Sequence, residues 1–130
     1  MKIVIDTSAV IAVLLDEETH HSIISSTSGF EIVSPASLPW EVGNSMIANV
    51  RKKRLSKEEA AFAIKNFELM DIRLIEVNLE KSILLANQLG IYAYDAYMLN
   101  CAQTLKVPLL TLDNLMIHMA TEIGIKTMEV

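Results

Sequence analysis

One cysteine in 130 residues leaves no internal disulfide to form, and such a chain fits a reducing, cytoplasmic setting. Cys101 lies within an apolar helical pattern, which reads as an inert core thiol rather than a nucleophile. No apolar run approaches the ~18 residues needed to cross a membrane. The apolar N-terminal stretch is interrupted by Asp6 and lacks a cleavage-type end, so it does not read as a signal peptide. An excess of positive charge is also missing: the net charge is −5. That excludes a protein which coats nucleic acid by charge alone. There is no repeat, low-complexity segment or linker, and the length suits one domain over residues 1–130. His20 and His21 are adjacent, point to different helix faces and have no second His/Cys cluster to join.

Apolar residues are plentiful, 52% of the chain with a mean hydropathy of +0.35. The unbroken β-branched run Ile3–Ile5 is the pattern of a strand buried on both faces of a parallel sheet. It stops at Asp6, and Ala9–Leu15 resumes with helical spacing. Asp6 therefore sits at the carboxyl end of a central strand, the edge where open α/β sheets bind ligands. An aspartate followed by Thr7 and Ser8 also suits the simpler role of capping a helix.

The acidic turn Asp16–Glu18 predicts a second helix running to about Ser28 and stopped by Gly29. Phe30–Ser34 reads as a strand closed by Pro35. Ser37 opens a long helix with Pro39 in its first turn. Leu38, Val42 and Met46 form its apolar stripe, while Glu41 and Asn44 share another face. This helix ends in Arg51-Lys52-Lys53-Arg54, four of the eleven basic residues in succession. Cations there complement a helix dipole, and the same concentration suits contact with RNA. Ser56–Glu59 is a capping box that starts a helix reaching about Met70. Ile72–Val77 follows as a strand, then a helix Leu79–Leu89 between Asn78 and Gly90. Asp95 opens a helix with Ala96, Leu99, Ala102 and Leu105 turned inward. Val107–Leu112 reads as a fourth strand ended by Asp113, Leu115–Glu122 as a last helix, and Ile125–Val130 as a short fifth strand.

Alternating strands and helices predict a parallel sheet wound on both sides. Of the five aspartates, Asp6 and Asp113 follow strands, and their carboxylates can meet at one sheet edge. Glu41 and Asp95, near helix N-termini, face that edge as well. Carboxylates gathered in one cleft repel unless a cation neutralises them, and oxygen-only donors select Mg²⁺ or Mn²⁺ over zinc. Such an ion activates water, and two of them about 3.5–4 Å apart also stabilise the leaving oxygen of a displacement.

DTSAVIA at 6–12, EVGN at 41–44, YDAYML at 94–99 and TLD at 111–113 together resemble the PIN-domain ribonucleases, specifically VapC-type toxins of type II toxin–antitoxin pairs. The acids are spaced by 35, 54 and 18 residues, and the likeness spans essentially the whole chain. The resemblance implies a three-layer fold, with a central parallel sheet of four to five strands and helices on both faces. It also implies that Asp6, Glu41, Asp95 and Asp113 are a catalytic, metal-binding quartet. Thr7 or Ser8 would be the hydroxyl beside the first acid, and Asn44 the polar support of the second. Cleavage of RNA with Mg²⁺ or Mn²⁺, a homodimer and a small antitoxin protein follow from the same resemblance. A PIN-like fold that binds RNA or protein without cutting is the alternative. Two other families fit less well. A haloacid-dehalogenase-type phosphotransferase needs a second aspartate where Ser8 stands, and a receiver domain needs a phospho-acceptor and a lysine that the chain lacks.

Overall fold

The computed structural model describes all 130 residues, Met1–Val130. In chain order the elements are β1 (Lys2–Ile5), α1 (Thr7–Leu14), α2 (His20–Thr27), β2 (Glu31–Pro35), α3 (Leu38–Arg51) and α4 (Lys57–Glu68). They continue with β3 (Arg73–Ile75), α5 (Leu79–Leu89), α6 (Ala93–Leu105), β4 (Leu109–Leu110) and α7 (Asn114–Glu122). The four strands form one sheet in the order β3-β2-β1-β4, and every pairing is parallel. Seven helices surround this sheet in an α/β fold.

β1 is the centre of the core because its β-branched residues are sealed on both sides. Ile3, Val4 and Ile5 are at most 1% exposed, and alternate residues of a strand face opposite sides of the sheet. α6 packs across β1 and β2 and against α5, whereas α1 packs against α2, α3 and α4. Met98, Leu99 and Ala102 of α6 and Val10, Ala12, Leu38 and Val42 of α1 and α3 belong to the buried cluster these contacts make.

Local sequence sets most element ends. Ser56 and Glu59 form the expected reciprocal capping box at the start of α4. Gly90 ends α5 in the left-handed conformation, φ +67°, which costs glycine little. α2 starts later than its acidic approach suggests, at His20. α1 ends in a tight turn that holds Asp16 at φ +52°, and the Asp16 carboxylate accepts from the His20 ring instead of opening a helix.

The sheet has four strands, not five. The segment after Gly124 meets β4 at a single bridge, Leu109 to Thr127. Backbone bonds flank it, Leu109 N–H to Lys126 (2.9 Å) and Met128 N–H to Leu109 (2.9 Å). β4 offers only two paired residues, so there is no longer edge for Ile125–Val130 to follow.

The strand order places a switch in winding direction at β1. From β1 the chain passes to β2 on one side, and after β3 it returns to β4 on the other. Ile5 is paired with Leu110, so the next residues, Asp6 and Thr111, emerge side by side at the carboxyl edge. Crevices of this kind are where open α/β sheets hold ligands.

Candidate active site

Asp6 leaves β1 in an extended conformation and caps α1, its Oδ1 accepting from the Ala9 N–H at 3.2 Å. Capping accounts for only part of its surroundings. Oδ1 also accepts from the Ser8 hydroxyl at 2.6 Å, and Oδ2 accepts from the Thr111 hydroxyl. The residue is 4% exposed. Burial pushes its pKa up, the hydrogen bonds from Ser8, Thr111 and Ala9 oppose that rise, and the Asp113 charge adds to it.

Ser8 and Thr111 also fasten this corner to the β4–α7 connection. The Ser8 oxygen accepts from the Leu112 N–H at 2.9 Å, and the Thr111 oxygen from the Asp113 N–H at 3.1 Å. Of the two hydroxyls beside the first acid, Ser8 is thus the one bonded to Asp6. Thr111 was not singled out by sequence reasoning. Its signal is position: it is the first residue past an apolar strand, two before Asp113.

Thr7 serves the second acid. Its hydroxyl donates to Glu41 Oε2 at 3.1 Å, tying the start of α1 to the first turn of α3. Glu41 Oε1 is buried and has no hydrogen-bond partner. Burial raises the Glu41 pKa from 4.5 to about 7; the Thr7 bond opposes this, and the charges of Asp95 and Asp6 add to it. Asn44 is exposed and makes no hydrogen bond to Glu41. Both line a cleft of about 540 Å³, together with Thr7, Trp40 and Tyr94.

Asp95 is the third residue of α6 and is not its cap; that position is Tyr92, which makes no side-chain cap bond. Burial raises the Asp95 pKa, and the charge of Asp113 raises it further. Asp113 caps α7, with Oδ1 accepting from Leu115 N–H at 2.9 Å and Met116 N–H at 3.4 Å. The four acids thus sense one another: Asp6 and Asp95 sense Asp113, and Glu41 senses both Asp6 and Asp95.

No protein cation offsets this charge. The molecule has two ion pairs, His20–Asp16 and Arg73–Glu31, and neither includes these acids. The donors are all oxygen, one of them buried without a partner, and this chemistry suits a hard divalent cation. No group of three His, Cys, Asp or Glu side chains is placed where it could hold a metal ion.

The basic run lies elsewhere. Arg51, Lys52, Lys53 and Arg54 are all exposed, at the far end of α3 from Glu41. Ten residues separate Glu41 from Arg51, about 15 Å along a helix axis. The structure does not bring this run together with the acids.

A profile of the family described as PIN domain matches residues 3–122. The chain belongs to the PIN-domain family. Solved structures share its fold at low identity. PAE2754 from Pyrobaculum aerophilum superposes with a TM-score of 0.74 at 19% identity, covering 92% of this chain and 84% of that one. VapC20 from Mycobacterium tuberculosis, described as a sarcin–ricin loop cleaving toxin, gives 0.70 at 13% identity, covering 99% and 100%. A toxin–antitoxin complex from Klebsiella pneumoniae gives 0.61 at 16% identity, covering 89% and 90%. No curated protein matches the chain at a significant level. PIN nucleases generally use divalent metals, and no helix of this PIN domain is long and apolar enough to cross a membrane.

Proposed function

We propose that this PIN domain is a Mg²⁺- or Mn²⁺-dependent endoribonuclease, the toxin of a type II toxin–antitoxin pair that works as a homodimer and is held in check by a small antitoxin protein. The observation that carries the reading is Glu41 Oε1, a carboxylate oxygen buried without a partner among acids that have no protein cation. A structural carboxylate in that position would be destabilising with nothing in return. Asp6, Glu41, Asp95 and Asp113 would hold the ion. When bound, it would polarise a phosphodiester and lower the pKa of water.

The chain's own groups have separate tasks in this account. Ser8 and Thr111 fix both oxygens of Asp6, so its carboxylate is oriented before anything binds. Thr7 holds Oε2 of Glu41 and leaves Oε1 free. Oε1, free of any protein partner, is the Glu41 atom that would face the ion, and a bound cation would offset the burial and like charges that raise this carboxyl to about 7. Support for the toxin role comes from the family and from the described activity of VapC20.

Incubation with total tRNA and a structured RNA, with Mg²⁺ or Mn²⁺ and with EDTA, tests the reading. Cutting that EDTA stops is the expected result. Equal cutting in both tubes overturns the metal mechanism. RNA or protein binding with no cutting under any metal would favour the alternative, a catalytically silent PIN fold.

A further inference from the structure

Two aromatic side chains stand at the rim of the acidic cleft with much of their surface in water. Trp40 immediately precedes Glu41 near the start of α3, and Tyr94 immediately precedes Asp95 near the start of α6. Trp40, the one tryptophan, is 71% exposed and Tyr94 is 48% exposed. Large aromatic rings ordinarily supply core or interface burial, and leaving them in water forfeits that gain. Their placement is shared. Both line the cleft that holds Thr7 and Glu41, and both line an adjoining cleft of about 420 Å³ beside Ala36, Glu76 and Leu79. Tyr94 is steadied by an edge-on contact with Tyr97, ring centroids 5.7 Å apart at 87°.

No Lys or Arg lines either cleft. Close to the acids, then, the chain cannot hold a phosphate backbone by pairing charge with it. What these walls offer instead is ring faces, and an unpaired base of any kind can stack on such a face. A base inside a duplex cannot reach them without leaving its own stack.

We propose that Trp40 and Tyr94 form a stacking platform for an unpaired nucleobase next to the scissile phosphate. This rests on the nuclease reading above. A protein, whether a second copy or the antitoxin, is the alternative occupant of an aromatic rim; an unpaired base is favoured because both rings border the cleft that holds Glu41, where the scissile phosphate of the nuclease reading would lie.

The test combines kinetics with the emission of Trp40, which reports from the proposed platform alone. Trp40→Ala and Tyr94→Ala should each raise KM for a loop-containing RNA about tenfold with kcat little changed, the effect of about 1.4 kcal/mol of lost stacking. Trp40→Phe keeps a ring face and should stay within about threefold of wild type. In the Glu41→Gln protein with Mg²⁺, added oligoadenylate should quench Trp40 emission. Wild type that cuts RNA, with unchanged KM in both alanine variants or no quenching by oligoadenylate, overturns the platform and leaves the nuclease reading standing. Emission that follows protein concentration and ignores RNA assigns the rim to a second copy and overturns it too. No cutting by wild type in Mg²⁺ or Mn²⁺ is a separate result: the nuclease reading fails, and the platform with it.

Discussion

The two ends of α3 obey the same electrostatic rule and differ in everything else. Glu41 sits in its first turn and Arg51 in its last, and each sign suits the helix dipole at its end. Arg51–Arg54 are exposed, so dipole complementarity explains them without further help. Glu41 is half-buried, carries a pKa raised to about 7, and has an oxygen with no partner. The dipole accounts for the sign of that residue and not for its burial. Where a helix end carries exposed charge, structure is explanation enough. Where it carries buried charge with nothing to offset it, a binding role is the better account.

The largest effect that could break this comparison is on cutting. Asp6→Asn and Asp95→Asn keep side-chain shape while removing charge, and each should lower RNA cleavage by ~10³-fold or more, since an ion at such a site contributes several kcal/mol to the transition state. Gel assays with Mn²⁺ measure it. Asp95→Asn is the cleaner of the two, because Asp95 makes no cap bond whereas Asp6 accepts from Ser8, Ala9 and Thr111. Cleavage at wild-type rates in both would remove the metal reading and leave Glu41, like Arg51, with no role beyond the helix dipole.

Next in size is the pH dependence of the metal-free protein. Glu41 binds its proton more tightly folded than unfolded, with a pKa of about 7 against 4.5. Its stabilising contribution is therefore complete below about pH 4.5 and is lost as pH rises through about 7. Asp6 and Asp95, also raised, act in the same direction. Denaturant melts in EDTA should lose about 1–2 kcal/mol from Glu41 between pH 5 and 8, solvent screening of this half-buried group included. Glu41→Gln should flatten the loss. A flat profile in wild type would mean that the carboxyl is solvated like Arg51.

The smallest effect belongs to the basic end. Replacing Arg51, Lys52, Lys53 and Arg54 by Gln should cost only a few tenths of a kcal/mol in stability, as exposed dipole partners do. If the run grips the RNA backbone at a distance from the acids, the same change should weaken RNA binding and flatten its salt dependence. Binding measured between low and moderate salt decides between these. An unchanged salt slope leaves the run with the helix alone.

Much of this was legible in the chain because the local signals are strong. The β-branched run Ile3–Ile5 marks the central strand. The capping box at Ser56 and the glycine at position 90 mark helix ends that depend on neighbours in sequence. The acids stood out because Asp6 and Asp113 directly follow strands. Partners from distant elements were less legible. Thr111 meets Asp6 only through the pairing of β1 with β4, and Thr7 rather than Asn44 reaches Glu41 because α1 and α3 pack together. Neither relation has a periodicity. The fifth strand failed for a related reason: Ile125–Val130 has suitable residues, but a strand needs an edge to pair with, and β4 is too short to supply one.

The central claim, that these carboxylates are arranged for a cation, is tested most directly by metal-linked melting of wild type, Asp6→Asn and Asp95→Asn. In EDTA, Asp95→Asn should be more stable than wild type by roughly 1 kcal/mol, through relieved repulsion. Mn²⁺ at about a hundred times its dissociation constant should stabilise wild type by about 2.7 kcal/mol, and the shift should shrink or vanish in both variants, because that gain is binding linkage. Equal Mn²⁺ shifts in all three proteins would contradict the account and leave Asp6 a helix cap and Asp95 an ordinary first-turn acid.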